Sequence, residues 1–408
     1  MVRKPSKARA RDVLNEPTKV AVACQGGGIH ASFEVGVLSE ILKNMQTRND
    51  DPNEQHRFEL VALSGTSAGA LCSLMVWYGL ASKNGQAGSP RAAIKQLNDF
   101  WDRFAARGGV EVILNALTYA AFKAREQEVF GVNAPILSLN PSGVIAGAVT
   151  AALSPLGVRR RYYDLPKLLE KACPQFDNID WDTLETRLLV GATEIINGVE
   201  TVFDSDRNMV GDGHKHHDPS TVTHQWRQRL PLSLAGVAAS GTLPEFREAE
   251  RIEGGSYWDG LYSQNPPIRE LLSGVDKQYT PDEIWVLRIN PQQCLHEPQS
   301  NAEIQDRKNE LMGNLSLNKE LDTILLVNHF IDWFSTGSPP HVGDWYKKVT
   351  VRTIKMTKET AESLLYSSKF NRNHRFMDQL RNEGCRVARD WLRQWPYNVG
   401  SYPDDAAY

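Results

Sequence analysis

A short apolar run, Lys19-Val20-Ala21-Val22-Ala23-Cys24, leads through Gln25 into three consecutive glycines, Gly26, Gly27 and Gly28. Glycine loses more conformational freedom on folding than any other residue, so a triplet needs a reason. The useful one is that the main chain there can adopt a positive φ and approach a ligand closely. Phe33, Val37, Leu38, Ile41 and Leu42 then recur at helical spacing, so the triplet joins a strand to a helix. Amides in such a loop point outward at the positive end of a helix dipole, an anion-binding arrangement. A phosphate and the oxyanion of a reacting carbonyl both fit it, and a tight turn without a ligand is the plain alternative. The dinucleotide fingerprint G-x-G-x-x-G is not met, because G-G-G-I-H-A leaves the next glycine at Gly36. No Gly-Lys-Ser/Thr follows either.

A second element chooses between the two ligands. Phe58 to Leu63 has a strand pattern, Gly65-Thr66-Ser67-Ala68-Gly69 follows it, and Ala70, Leu71, Leu74, Met75, Tyr78 and Gly79 continue as an apolar helix. This is G-x-S-x-G between a strand and a helix, where small neighbours leave room for a strained elbow. Ser67 is therefore the expected nucleophile, and the glycine triplet the expected oxyanion site.

The run Gly26-Gly27-Gly28-Ile29-His30, then Gly36-Val37-Leu38, then Gly65 to Gly69 resembles the patatin-like phospholipase family. Two departures stand in the first loop: His30 replaces the family's usual Arg or Lys, and Ala31 its usual glycine. His30 carries a charge only if its surroundings permit. Ala238-Ala239-Ser240-Gly241-Thr242-Leu243-Pro244 is similar to the family's A-S-x-x-x-P stretch. Tyr257-Trp258-Asp259-Gly260-Leu261, followed by Asn265-Pro266, is similar to its D-G-x…N-P pattern, with Leu261 where Gly or Ala is usual. Asp212-Gly213 competes but lacks the Asn-Pro. Ser367-Ser368-Lys369-Phe370-Asn371 and a last amphipathic helix look like the tail of bacterial members, so the resemblance covers about residues 18–395.

The resemblance implies an α/β fold with a mainly parallel central sheet flanked by helices and a C-terminal extension. It implies a Ser67–Asp259 dyad, and an oxyanion hole from Gly26, Gly27, Gly28 and Ile29. It also implies acyl-ester or lipid substrates, with no cofactor and no metal. A carboxylate of ordinary pKa is a weak base for a hydroxyl, so Asp259 is expected to be buried. A Ser–Asp–His triad is the other hydrolase arrangement, with His296, His329, His341 and His374 as candidates. A thioesterase or transacylase on the same scaffold, or a non-catalytic lipid- or acyl-carrier-binding protein, is the alternative function. The His-rich run Gly211–Asp218 lacks metal-ligand spacing and reads as a solvated loop.

Composition narrows the rest. A net charge of −3 over 408 residues gives no footprint for nucleic acid, and 41% hydrophobic with 23% charged residues is an ordinary globular balance. Five scattered cysteines without a CxxC argue for a reducing, cytoplasmic setting rather than a disulfide framework. The uncharged stretches Leu60–Ser82 and Val129–Val158 are broken by Gly65 and Gly69 and by Pro135, Pro141 and Pro155, so neither reads as a membrane span. Within the second, Gly143–Leu153 reads as a core helix or as a lid over an acyl chain. Residues 282–290 and 348–355 read as strands, 304–334 as long helical structure and 376–392 as an amphipathic helix. The basic residues of that last helix face solvent, or touch anionic lipid. The expected organisation is a polar basic tail over 1–17, a hydrolase core over 18–290 and an extension packed on it over 291–408. Any membrane contact is expected to be transient and peripheral, and oligomeric state has no sequence signal.

Overall fold

A strand apolar on both faces belongs in the middle of a covered sheet, and β1 (Thr18–Cys24) is such a strand. Val20, Val22 and Cys24 join one core cluster, and Ala21 and Ala23 join another on the opposite face. The computed structural model describes residues 16–126, 164–209, 226–244, 247–294, 296–334 and 346–403. The expected lid region Val129–Val158, the loop Gly211–Asp218, His341 and residues 1–15 of the basic tail lie outside the described residues.

After β1 come β2 (Phe58–Thr66), β3 (Arg187–Glu194), β4 (Val199–Asp204), β5 (Arg227–Pro231), β6 (Glu250–Ile252), β7 (Gly255–Asp259), β8 (Glu283–Arg288) and β9 (Thr350–Lys355). The sheet order is β5-β4-β3-β2-β1-β8-β9. From β3 to β9 every neighbouring pair is parallel. The β4 and β7 strands run antiparallel to β3, and β6 pairs with β7. The expected α/β class with a mainly parallel sheet holds.

Helices cover both faces. On one side lie α1 (Ser32–Asp50), α2 (Ala68–Leu80), α3 (Pro90–Phe104), α5 (Leu165–Ala172), α6 (Leu234–Ser240) and α9 (His374–Gln394). The chain's other described helices are α4 (Gly109–Glu126) and α8 (Lys358–Ser363), besides the long helix described next. On the other side α7 (Asn301–Trp333) sets Leu317, Leu321 and Ile324 against Ile284 and Val286 of β8. A capping box starts α7: Glu303 N donates to Ser300 Oγ at 3.2 Å and Ser300 N donates to Glu303 Oε2 at 3.0 Å. The uncharged stretch Leu60–Ser82 divides into β2 and α2, and among the described residues no helix is long and apolar enough to cross a membrane.

Residues far apart in sequence close the molecule. The β9 strand continues the sheet beyond β8, and α9 lies across α1. A Cβ at Gly36 would strike the carbonyl of Arg381, and one at Gly384 would strike the carbonyl of Phe33. These two glycines let the helix backbones meet, which fixes the crossing point. The basic face of α9 is largely paired within the molecule: Arg381 with Asp102 at 2.9 Å, Arg389 with Glu40 at 3.2 Å, Arg386 with Glu383 at 2.9 Å and Arg393 with Asp390 at 3.0 Å. The first two pairs tie α9 to α3 and α1, and the last two lie within α9 on its exposed face.

An added methyl at this crossing has nowhere to go. Gly384→Ala is expected to lower unfolding free energy by about 1–3 kcal/mol, the usual cost of overpacking, in a urea titration. An unchanged midpoint would show that the helices separate without penalty.

Candidate active site

Ligands in open α/β sheets bind beyond the carboxyl ends of the strands, where the order of connection reverses. Here that point is β1: the chain proceeds from β1 to β2 and β3 on one side, and to β8 and β9 on the other. The glycine triplet follows β1, Ser67 follows β2, and Ile289 and Asn290 follow β8. All three strand ends meet at the same level, with Cys24 beside Gly65 on one side and Leu287 on the other.

Ser67 lies at the N-terminus of α2 with φ 56° and ψ −126°. A positive φ is strained for a residue with a side chain, and it turns that side chain out of the strand direction. The flanking glycines make the elbow possible. A Cβ at Gly65 would lie 2.5 Å from Gly69 O, and one at Gly69 would strike the carbonyl of Cys24. Ser67 N donates to Ser240 Oγ at 2.9 Å, which anchors the elbow to the end of α6. Ser67 is half-buried while Ala62–Thr66 and Ala68–Gly79 around it are buried.

One edge of β3 carries both Ser67's strand and Asp259. Gly191 pairs with Thr66 of β2, and the next residue, Ala192, pairs with Asp259 of β7. Where β2 leaves the sheet at the elbow, β7 takes its place. The neighbours are in contact: a Cβ on Gly260 would lie 2.5 Å from Gly191 O and 3.0 Å from Thr66 Cγ2. Asp259 is fully buried. Its Oδ1 accepts from Leu261 N at 2.9 Å, its N donates to Thr242 O at 2.9 Å, and its carbonyl accepts from Thr193 Oγ1 at 3.2 Å. Carboxylate and main chain are therefore both oriented.

The glycine loop is held from two sides. Asn265 grips the main chain of Gly26: Gly26 N donates to its Oδ1 at 2.6 Å, and its Nδ2 donates to Gly26 O at 3.4 Å. This corrects one expectation, because the Gly26 amide is occupied by Asn265 and is not a free oxyanion donor. Gly27 and Gly28 differ. Both are half-buried between buried neighbours, and they open a 3-10 turn, Gly28–Ala31, that runs into α1. The first amides of a helical turn have no partner within it, and Gly28 has φ 60°. Ile29 follows in the same turn and is buried.

The residue at the family's Arg/Lys position is neutral. Burial pushes the His30 imidazole well below its ordinary pKa, and the Lys369 charge adds to the shift. His30 Nε2 instead bonds Ser368 Oγ at 2.7 Å. Sequence reasoning assigned no role to the residues that hold the loop and the elbow, namely Gln25, Ser240, Asn265, Asn290 and Lys369. Gln25 Oε1 accepts from the amides of Ile289 and Asn290 at 3.1 and 3.0 Å, which ties the end of β1 to the end of β8. Ser240, Asn265 and Lys369 were visible only as letters of family-like motifs.

Other candidates lie elsewhere. His329 is exposed on α7, His296 bonds Glu303 at 3.4 Å, and His374 pairs with Asp378 at 2.8 Å. Asp102, His374 and Asp378 are the one trio with metal-ligand spacing among the described residues. The Arg381 guanidinium already sits against Asp102 at 2.9 Å and Asp378 at 3.9 Å, so this cluster is an ion-pair network.

A neutral buried histidine has a measurable consequence. The unfolded chain protonates His30 below about pH 6.5, and the folded chain does so only at lower pH. The unfolded state then binds more protons, so stability falls as pH drops below about 6.5, by up to about 1.4 kcal/mol per pH unit for this group, and is unaffected above it. His30→Gln is expected to flatten the slope of unfolding free energy between about pH 6.5 and 5, measured by urea titrations. An unchanged slope would mean that His30 is charged in the fold.

A comparison with curated proteins finds no match. Among solved structures the chain is similar to the type III effector protein ExoU, at 12% identity and TM-score 0.30, over 92% of this chain and 53% of that one. It is also similar to ExoU in its heterodimeric complex with SpcU from the type III secretion system of Pseudomonas aeruginosa, at 13% identity and TM-score 0.22, over 75% of this chain and 52% of that one. The chain thus spans about half the length of the solved chains it matches. The model of the patatin-like phospholipase family matches residues 22–272. That is well over half of the sequence, and the chain belongs to this family.

Proposed function

We propose that the chain is a serine lipid acyl hydrolase of phospholipase A type that works through a Ser67–Asp259 dyad. The observation that carries this reading is the edge of β3, where Thr66 and Asp259 occupy successive pairing positions and Ser67 leaves the sheet between them. Ser67 Oγ attacks the ester carbonyl carbon while the Asp259 carboxylate takes its proton. The carbonyl oxygen becomes an oxyanion and accepts from the amides of Gly27 and Gly28, with Ile29 next in the turn; one such donor is worth about 3–4 kcal/mol in other hydrolases. Asp259 returns the proton to the leaving alkoxide, which departs as an alcohol or lysolipid. Water then gives its proton to Asp259 and attacks the acyl-enzyme, and Ser67 is regenerated with release of the fatty acid.

Support for a lipid rather than a small soluble ester comes from α7. Gly313 on this helix lies against the site: a Cβ there would be 2.7 Å from Asn265 Nδ2 and 3.4 Å from Leu261 Cδ1. On the same helix Met312 is 42% exposed, and Leu311 and Leu315, two residues either side of Gly313 and so on the face turned away from it, are 36% and 52% exposed. Large apolar side chains facing water on the helix that borders the site suit contact with a lipid surface.

Ser67→Ala and Asp259→Asn are each expected to lower kcat by at least about 1,000-fold, with fluorophosphonate labelling lost in Ser67→Ala. His329→Ala and His374→Ala stay within about twofold of wild type; a large loss in either would point to a triad. A panel of lipid esters, thioesters and acceptor alcohols separates hydrolase from thioesterase and transacylase. Leu315→Glu is expected to slow hydrolysis of phospholipid vesicles while leaving a soluble short-chain ester unaffected. Equal losses on both would remove this helix face from contact with the lipid surface.

A further inference from the structure

Lys369 is 6% exposed, and a lysine is almost never buried without a purpose or a partner. Its Nζ donates to two neutral amide oxygens, Asn290 Oδ1 at 2.8 Å and Asn309 Oδ1 on α7. Burial draws its ammonium pKa down, and the Asp306 and Glu310 carboxylates of α7 oppose that shift. The backbone of Lys369 lies under the glycine loop, where a Cβ at Gly28 would strike its carbonyl. With His30 bonded to Ser368 and its charge disfavoured by burial, Lys369 is the cation that the described residues place beside this loop.

The next link gives the cation a route to the chemistry. Asn290 accepts from Lys369 through Oδ1 and donates through Nδ2 to Gly26 O at 3.1 Å. Gly26 C=O and Gly27 N–H are the two ends of one peptide group. Donors on the oxygen withdraw electron density from the nitrogen, so the N–H becomes a stronger donor, and the effect grows along a charged chain of hydrogen bonds. Asn290 is itself held by Gln25, and Gln25 Nε2 donates to Asn314 Oδ1 at 2.8 Å. The relay is therefore rigid as well as polarised.

We propose that Lys369 is a positioning residue for the oxyanion site: through Asn290 it polarises the Gly26–Gly27 peptide, whose N–H meets the charge that develops on the substrate carbonyl. This rests on the reading of Ser67 as the acylated nucleophile. The competing role is a strut that only pins residues 366–370 to α7 through Asn309.

The two roles separate in kinetics. Wild type, Lys369→Met, Asn290→Ala and the double variant are compared on a soluble p-nitrophenyl ester. Affinity for an alkyl trifluoromethyl ketone, which forms an oxyanion adduct with serine, and thermal unfolding are measured alongside. The relay predicts that Lys369→Met lowers kcat by about tenfold or more, leaves KM within about twofold, and weakens the ketone by the same factor as kcat. The double variant is then no slower than the slower single, because both remove one chain of bonds. A kcat within about twofold of wild type, an unchanged ketone affinity, or losses that multiply in the double variant would each overturn it. If Lys369→Met does not fold, Asn290→Ala decides alone, by a parallel fall of kcat and ketone affinity or by its absence. Failure of the underlying reading looks different: wild type itself would then show no fluorophosphonate label on Ser67.

Discussion

The site depends on a substitution of one strand for another along the edge of β3. The β2 strand pairs with β3 up to Thr66 and Gly191, and β7 pairs with the next residue of β3 from the opposite direction. Had β2 continued, Ser67 would be one more residue of a covered sheet, with its side chain packed against a helix. Because β7 supplies the missing partner, the backbone bonds of β3 remain satisfied while β2 bends away. The elbow can thus hold a strained φ while the backbone of β3 stays paired. The same exchange sets Asp259, which would otherwise be nearly 200 residues distant, in line with the elbow.

Around this edge the glycine loop is positioned by side-chain amides rather than by its own sequence. Asn265 holds Gly26 from the side of β7, Asn290 holds it from the side of β8, and Gln25 bridges β1 to β8. Neutral amides suit this task because each offers a donor and an acceptor, so one side chain can satisfy both the N–H and the C=O of a residue without introducing charge. Glycine allows these side chains to come close: a Cβ at Gly26 would lie 2.9 Å from Ser67 Cβ and 3.0 Å from Asn265 Oδ1. The triplet is therefore a crowding requirement as much as a conformational one.

What was legible in the sequence follows from range. Along β1, β2 and α1, residues one to four apart report which faces are buried, so Val20 to Cys24 and Phe33 to Leu42 could be placed as a strand and a helix. The G-x-S-x-G elbow is equally local. The pairing of Ala192 with Asp259, the grip of Asn265 on Gly26 and the approach of Lys369 to Gly28 span tens to hundreds of residues, and no periodicity encodes them. Asp259 was singled out by a family-like motif, not by any physical pattern of its own. The expectation for Gly26 failed for the same reason: three glycines show that a loop is crowded and open to amide contact, but not which amide another side chain already occupies.

The charge at the loop shows how a local departure and a distant residue are linked. A cation at position 30 would enter a buried space that already faces the Lys369 ammonium, and two like charges in low dielectric repel strongly. Only one can be retained unless an acid moves in with it. Histidine resolves the conflict because burial disfavours its charge and its ring bonds Ser368, the residue beside the lysine. The acids that balance Lys369, Asp306 and Glu310, come from α7, the helix that also sets Gly313 against Asn265. Helix α7, the segment around Lys369 and His30 therefore form one electrostatic unit, and the neutral residue in the first loop is intelligible only together with the cation supplied more than 300 residues later.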